Sequence, residues 1–298
     1  MFKREAVHLG IAPSGWSNDD MPSLGDEISF EQCISEMALA GFEGCTVGHK
    51  YPSDPEVLAP ALALRGLRVS EPWVGTYFAA NAMEEQTLQT FDRQMAFIKR
   101  MGGSVIVVAE LTSSAHQQPV ALLPNQAHFC DEQWCRLSAG LNRIGRMAAD
   151  NGMKLVYHHH AGTGVQSRAE IDRLMASTDP DLVGLLLDTG HLYYAGEDPL
   201  QVAKDYAPRI RHVHLKDIRQ PVLEESIRLG RSFLDSIRAG VFTVPGDGVI
   251  DFKPIFEVLA GSGYEGWLLV EAEQDPAKAH PLTYAIKARR YLRDVTGL

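Results

Sequence analysis

The chain has 298 residues, of which 45% are hydrophobic and 22% charged, a composition that excludes disorder and supplies enough apolar material for one large core. A formal net charge of −10 at pH 7 argues against a nucleic-acid partner, because such binding draws much of its affinity from lysine and arginine contacts to phosphate. No window approaches the roughly 18 apolar residues of a membrane span, and Met1 to Gly10 lacks an apolar stretch of signal-peptide length, so a cytoplasmic protein without a membrane partner is expected.

Short apolar runs alternate with longer segments of helical period, and no charge block or Pro/Gly-rich linker interrupts them, so residues 1–298 read as one domain. The first strand is predicted over Val7 to Ala12. Ser29-Phe-Glu-Gln32 then reads as a capping box, followed by an apolar stripe at Cys33, Met37 and Ala40, which predicts a helix from Phe30 to Ala40 ended by Gly41. Strands follow at Gly44 to Val47, Leu67 to Trp73, Val105 to Ala109, Lys154 to Tyr157, Val183 to Leu187, Ile210 to Leu215 and Trp267 to Val270. The helices between and after them are predicted at Pro55 to Leu64, Glu84 to Met101, Asp131 to Asp150, Ser167 to Met175, Pro199 to Tyr206, Phe252 to Ala260 and Pro276 to Leu292. Cys33, Cys45, Cys130 and Cys135 lack CxxC spacing and read as reduced thiols.

Eight strand–helix units in strict alternation imply an α/β fold with a parallel sheet, and their similar lengths favour a closed (β/α)8 TIM barrel over an open doubly wound sheet. No Gly-x-Gly-x-x-Gly follows the first strand, and Gly162-Thr163-Gly164 is too short a pattern to support dinucleotide binding. The segment between the seventh strand and its helix, about 217–250, is long for a βα loop and has helical period from Leu223 to Ile237. It reads as a lid over the barrel mouth or as a contact in a homo-oligomer.

Barrel chemistry sits where strands end. Six of the eleven histidines, His158, His159, His160, His191, His212 and His214, fall at the ends of the fifth to seventh strands, a clustering hard to explain as packing. Leu185-Leu-Leu-Asp188-Thr-Gly-His191 moves a carboxylate and then an imidazole out of an apolar run, although Asp188 could instead cap the next helix. Period-two alternation puts His212, His214 and Lys216 on one face, with His214 nearer the open end and His212 packed below it as an orienting partner. Glu271 and Glu273 close the last apolar run, either at the barrel mouth or as a solvated strand end. Asp188 and His191 can both reach one ion and His214 is the preferred metal ligand of its strand, and mixed carboxylate and imidazole ligation suits manganese, cobalt or zinc better than calcium. Lys50 and Lys216 are candidate hydrogen-bond donors to substrate, and Trp16 and Trp73 a candidate apolar wall, against plain solvation and packing respectively.

Asp188-x-x-His191, His212-x-His214-x-Lys216-Asp217 and Glu271 resemble the xylose-isomerase-like barrel superfamily, which holds sugar epimerases, hydroxypyruvate isomerases, keto-sugar dehydratases and endonuclease IV. Ser14-Gly-Trp16-Ser-Asn-Asp-Asp20, Gly41-Phe-Glu-Gly44, Gly48-His-Lys50-Tyr-Pro52, Tyr157-His-His-His160-Ala-Gly-Thr163 and Val270-Glu-Ala-Glu-Gln-Asp-Pro276 together are similar to the myo-inosose-2 dehydratase family of inositol catabolism. The resemblance covers essentially the whole chain. It implies a hydro-lyase that converts 2-keto-myo-inositol (scyllo-inosose), a small polyhydroxylated ketone, to a trihydroxycyclohexane-dione. It also implies Asp188, His214 and Glu271 as the metal ligands, manganese or cobalt as the metal, glutathione as a further cofactor, and proton transfer by His158, His160 and His191, with Glu273 available.

Two departures stand out. The superfamily's glutamate after strand five is replaced by His158-His-His160, so His158 or His160, or the neighbourhood of Thr163 or Gln166, takes over that ligand position or an extra water fills it. Thr46 stands where related proteins often carry glutamate after strand two. Three other functions compete. A ketose epimerase or isomerase normally keeps the strand-five carboxylate, a nuclease needs a basic groove, and a non-catalytic carbohydrate-binding protein has no reason to gather Asp188, His214 and Glu271.

Overall fold

The computed structural model describes residues 2–298. Its strands are β1 (Val7–Ile11), β2 (Gly44–Cys45), β3 (Arg68–Val69), β4 (Trp73–Thr76), β5 (Val105–Glu110), β6 (Lys154–His158), β7 (Val183–Asp188), β8 (Ile210–Leu215), β9 (Asp217–Ile218), β10 (Phe242–Thr243) and β11 (Gly266–Val270). Nine of them form one sheet in the order β3-β2-β1-β11-β8-β7-β6-β5-β4, parallel at every pairing. The two ends of that order, β3 and β4, are consecutive in the chain, so the sheet closes on itself as the expected barrel.

The closure explains why the predicted strand Leu67 to Trp73 is really two pieces. Pro72 has no N–H to give to a ladder, so the strand changes partner around it. Ser70 N still donates to Cys45 O of β2 (2.9 Å), whereas Pro72 O accepts from Val107 N of β5 (3.1 Å). Glu71 sits at the switch and is buried.

Around the barrel run α1 (Phe30–Ala40), α2 (Pro55–Ala63), α3 (Glu84–Arg100), α4 (Asp131–Asp150), α5 (Arg168–Ser177), α6 (Thr189–Tyr194), α7 (Pro199–Tyr206), α8 (Gln220–Leu229), α9 (Phe233–Ala239), α10 (Phe252–Gly261) and α11 (Pro281–Thr296). One arm of the expected box on α1 is present: Ser29 Oγ accepts from Gln32 N at 3.2 Å, while the Gln32 amide turns to Glu36. Gly41 closes α1 at φ 90°, a left-handed cap open to glycine at little cost. The last helix begins at Pro281 and not at Pro276, because the backbone of Asp275 first accepts from Lys278 and Ala279 in a turn of its own. All four cysteines are free, and among the described residues no helix is long and apolar enough to cross a membrane.

The long connection after β8 is compact. Its predicted helical stretch is two helices, α8 and α9, parted at Gly230, and β9 and β10 pair antiparallel beneath them. The Asp217 carboxylate accepts from the backbone N–H of Ile218, Gly246, Gly248 and Ile250 at 2.8–3.2 Å. Arg219 ties the same loop together through Gly240 O, Phe242 O and Asp247. Phe233 of α9 lies fully buried against His160, at 5.3 Å between ring centres. Hydrogen bonds of its own clamp this segment, and Phe233 packs it against His160.

Candidate active site

Inside the barrel, polarity changes along each strand with period two. Val105, Val107, Val156 and Leu186 form a small apolar cluster of their own. Two residues further along β6 and β7, Val156 is succeeded by His158 and Leu186 by Asp188, both buried. The chain therefore buries an apolar floor and, directly above it, a group of charged and titratable side chains.

Asp188 serves two purposes. Its Oδ1 accepts from His191 N at 2.9 Å and so caps α6, while Oδ2 lies 3.3 Å from His158 Nε2 and 3.6 Å from His214 Nδ1. Glu271 Oε2 approaches the same His214 Nδ1 at 3.3 Å. On the other side of that ring, Nε2 lies 3.5 Å from Glu71 Oε1. Two strand ends and the β3–β4 switch thus converge on one imidazole. Burial alone would lower the pKa of His214, but the hydrogen bonds to Asp188, Glu271 and Glu71 outweigh it and hold the ring well above its ordinary value. Carboxylates crowded in this way call for a cation.

Lys216 supplies one fixed positive charge. It is wholly buried, its Nζ 2.8 Å from Glu273 Oε2, 3.0 Å from Glu271 Oε2 and 3.0 Å from His191 Nε2. Its stem runs where the Cβ of any residue other than glycine at position 190 would stand. Burial would depress the ammonium, but Glu271, Glu273 and Asp188 keep it firmly protonated. Glu273 responds oppositely: burial, before any other influence, pushes its pKa up to about 7.

A cleft opens over this group. Trp73, His116, His158, His160, Glu271 and Glu273 are among its walls, and Glu71 and His214 form part of its base. His160 Nδ1 lies 2.9 Å from Ala161 O, which can only accept, so Nδ1 carries the hydrogen and Nε2 is left as an acceptor. Trp73 Nε1 donates to His158 Nδ1 at 3.1 Å, which places the hydrogen of His158 on Nε2, facing Asp188.

The xylose isomerase-like TIM barrel family model matches residues 34–295. Over 299 residues covering all of both chains, the sequence is 55% identical to an inosose dehydratase of Geobacillus thermodenitrificans and 52% identical to one of Clostridium botulinum. The chain belongs to the inosose dehydratase family. Solved structures agree on the fold of this family at much lower identity. The IolI protein with a bound zinc atom superposes with a TM-score of 0.71 at 16% identity, over 97% of this chain and 98% of that one. A probable 3-DHS dehydratase from Bacillus anthracis, AsbF, gives 0.71 at 14% identity, over 96% and 98%.

Of the residues singled out in the sequence, the structure gathers Asp188, His214, Glu271, His158, His160 and Trp73 at the cleft. His191 and Lys216 lie beneath it and pair with each other. Trp16 and Lys50 lie elsewhere. The Trp16 indole donates to Glu36 at 2.7 Å and is buried in packing. The Lys50 ammonium spends its three hydrogens on the carbonyls of Gly25, Asp26 and Ile28 at 2.6–2.9 Å, which leaves none for a substrate. Thr163 and Gln166 are likewise taken up by backbone and glutamine partners.

Two cleft residues escaped the sequence reading. His116 follows β5 in a loop without an apolar run to announce it, yet its ring is 5.2 Å from that of His160. Glu71 was hidden inside a strand that was read as continuous; Pro72 was the available signal.

Proposed function

We propose that this chain dehydrates scyllo-inosose to a trihydroxycyclohexane-dione, with a divalent cation held by Asp188, His214 and Glu271. The observation that carries the reading is the convergence of these three groups, from the ends of three barrel strands, in a chain that matches inosose dehydratases from end to end. The donor set suits manganese, cobalt or zinc, and the zinc atom bound by the IolI protein, on the same fold, supports a metal-binding reading. The charges fit as well. Asp188, Glu71 and Glu271 bring three negative charges against the single ammonium of Lys216, and a buried excess of that kind demands a cation.

When bound, the cation would act as a Lewis acid that polarises the ketone and stabilises the enediolate. The rest falls to the chain. His158, fixed by Trp73, donates to Asp188 and orients it, which makes it a partner of the ligand set. His160, with Nε2 free, accepts the proton α to the ketone as that C–H bond breaks. Glu273, balanced near neutrality, gives its proton to the β-hydroxyl, which leaves as water when the C–O bond breaks and the ring double bond forms. Phe233 packs dry behind His160 and keeps its ring in place.

The test is incubation of metal-stripped protein with scyllo-inosose, with and without manganese or cobalt, followed by the ultraviolet absorbance of a conjugated dione enol. Metal-dependent product is expected, and His160→Ala should lower its rate about 10²–10⁴-fold. No product with any metal would overturn the reading in favour of a ketose epimerase.

A further inference from the structure

We propose that Asn18, Asp20 and His116 form a subsite for the ring hydroxyls of a cyclic polyol and so set which ketone the cleft accepts. The inference rests on the dehydration reading above and concerns the edge of the cleft away from the candidate ligands, which that reaction leaves without a role.

A row of imidazoles leads outward from the candidate ligand His214. Its ring centre is 5.1 Å from that of His158, His158 is 5.4 Å from His160, and His160 is 5.2 Å from His116. Contacts within and between loops fix this last ring. Ser114 Oγ lies 2.6 Å from His116 Nδ1, and Ala115 N donates to Gly162 O at 2.8 Å, which pins the loop after β5 to the loop after β6. Ser113 enters the turn at φ 56°, a left-handed conformation unfavourable for a residue with a Cβ and kept only where the surroundings fix it. With Nδ1 engaged, Nε2 is left for the cleft that the ring lines; Asp20 Oδ1 stands 4.0 Å from it, too far for a hydrogen bond.

The neighbouring bank is the loop after β1. Asn18 is 3% exposed, and its Oδ1 accepts from the backbone N–H of Asp20 and Met21, both at 2.9 Å. Those two groups can only donate, so the orientation of the amide is fixed and its NH2 faces the other way. That NH2 donates to no acceptor among the described residues, and the side chain lines the cleft. A buried amide with two unused donors costs free energy unless something accepts from them. Asp20 Oδ1 accepts from Gln117 Nε2 at 2.5 Å, which ties the loops after β1 and β5 together and leaves Oδ2 as an acceptor. The bank thus offers N–H donors, a carboxylate oxygen and an imidazole nitrogen. A hydroxyl both donates and accepts, so neighbouring hydroxyls on a ring satisfy all three groups, with His116 in either tautomer.

The experiment uses the full, Mn²⁺-loaded chain with Asn18→Asp, which keeps the Oδ1 acceptor of the loop and replaces the free NH2 by an acceptor. KM for scyllo-inosose should rise about 10–100-fold with kcat little changed, because hydroxyls remote from the reacting bonds are held alike before and in the transition state. Asp20→Asn, which retains the acceptor for Gln117, should raise KM about 3–10-fold, and it keeps the proposal testable if Asn18→Asp does not fold. Calorimetry with scyllo-inositol, in which a hydroxyl replaces the ketone, reads binding apart from turnover and should show losses in the same order. Unchanged KM and unchanged polyol affinity in the folded variants would overturn the proposal, as would a fall in kcat alone. A parent that binds scyllo-inositol and loses it in Asn18→Asp, yet dehydrates no inosose, would instead sink the dehydration reading and leave the subsite standing.

Discussion

Lys216→Met is the substitution whose effect can best be worked from the structure. Methionine keeps the length of the stem that runs past Gly190 and Phe242, so little cavity is created and the change is chiefly one of charge. The lost ammonium stands 2.8 Å from Glu273, 3.0 Å from Glu271 and 4.0 Å from Asp188, and it is fully inaccessible. Removing one partner of a buried ion pair typically costs about 3–5 kcal/mol, because the other charge remains without compensation. Glu273 softens the effect by taking a proton, which its pKa near 7 makes easy in mild acid. The expected destabilisation is therefore about 4 kcal/mol at pH 8 and visibly smaller at pH 6. Urea unfolding with a chelator present, so that no cation replaces the ammonium, would measure it. Lys216→Met/Glu273→Gln should recover a large part of the loss. A change under about 1 kcal/mol at pH 8, or a double variant in which the two effects simply add, would refute this account of the buried charges.

Gly190→Ala puts a methyl group onto the Lys216 stem and should destabilise by about 1–3 kcal/mol, seen as a lower melting temperature; an unchanged one would mean the stem has room to move. Asp217→Ala strips four backbone N–H groups of their acceptor, so limited proteolysis should cut residues 217–250 in the variant and spare the parent. Burial holds His116 below its ordinary pKa of 6.5, and His159 down to about 3. A depressed histidine favours the folded state above its unfolded pKa and loses that contribution as pH falls, so the urea midpoint should decline from pH 7.5 to 5.5, less steeply in His116→Gln. A flat profile in the parent would count against neutral buried histidines.

Much of the barrel was legible because its signals are local. Helix ends at Ser29, Gly41, Asp150 and Tyr206 follow from capping and periodicity within a few residues. The candidate ligands were legible for a related reason, since a polar residue that ends an apolar run announces itself in one dimension. What stayed hidden depends on distance in the chain. Lys50 looks like any strand-end lysine until three carbonyls from a separate loop close on it. The turn of α6 is too short to show a period, and Glu71 matters only because β3 and β4 separate to close the barrel.

The departure at strand five fits the charge of the site. With neutral imidazoles, Asp188, Glu71 and Glu271 against Lys216 leave two negative charges, the complement of one divalent cation. A glutamate in place of His158, which the superfamily resemblance implies at that position, would add a third in a region already closed to water. Burial keeps His158 neutral, and Trp73 turns its hydrogen toward Asp188, so the ring braces a ligand without adding charge. The consequence can be measured. His158→Glu should cost folding stability in the metal-free form, with a urea midpoint below that of the parent under chelation and recovering when Mn²⁺ is restored. A variant as stable as the parent without metal would show that the site tolerates the extra charge, and the balance drawn here would be wrong.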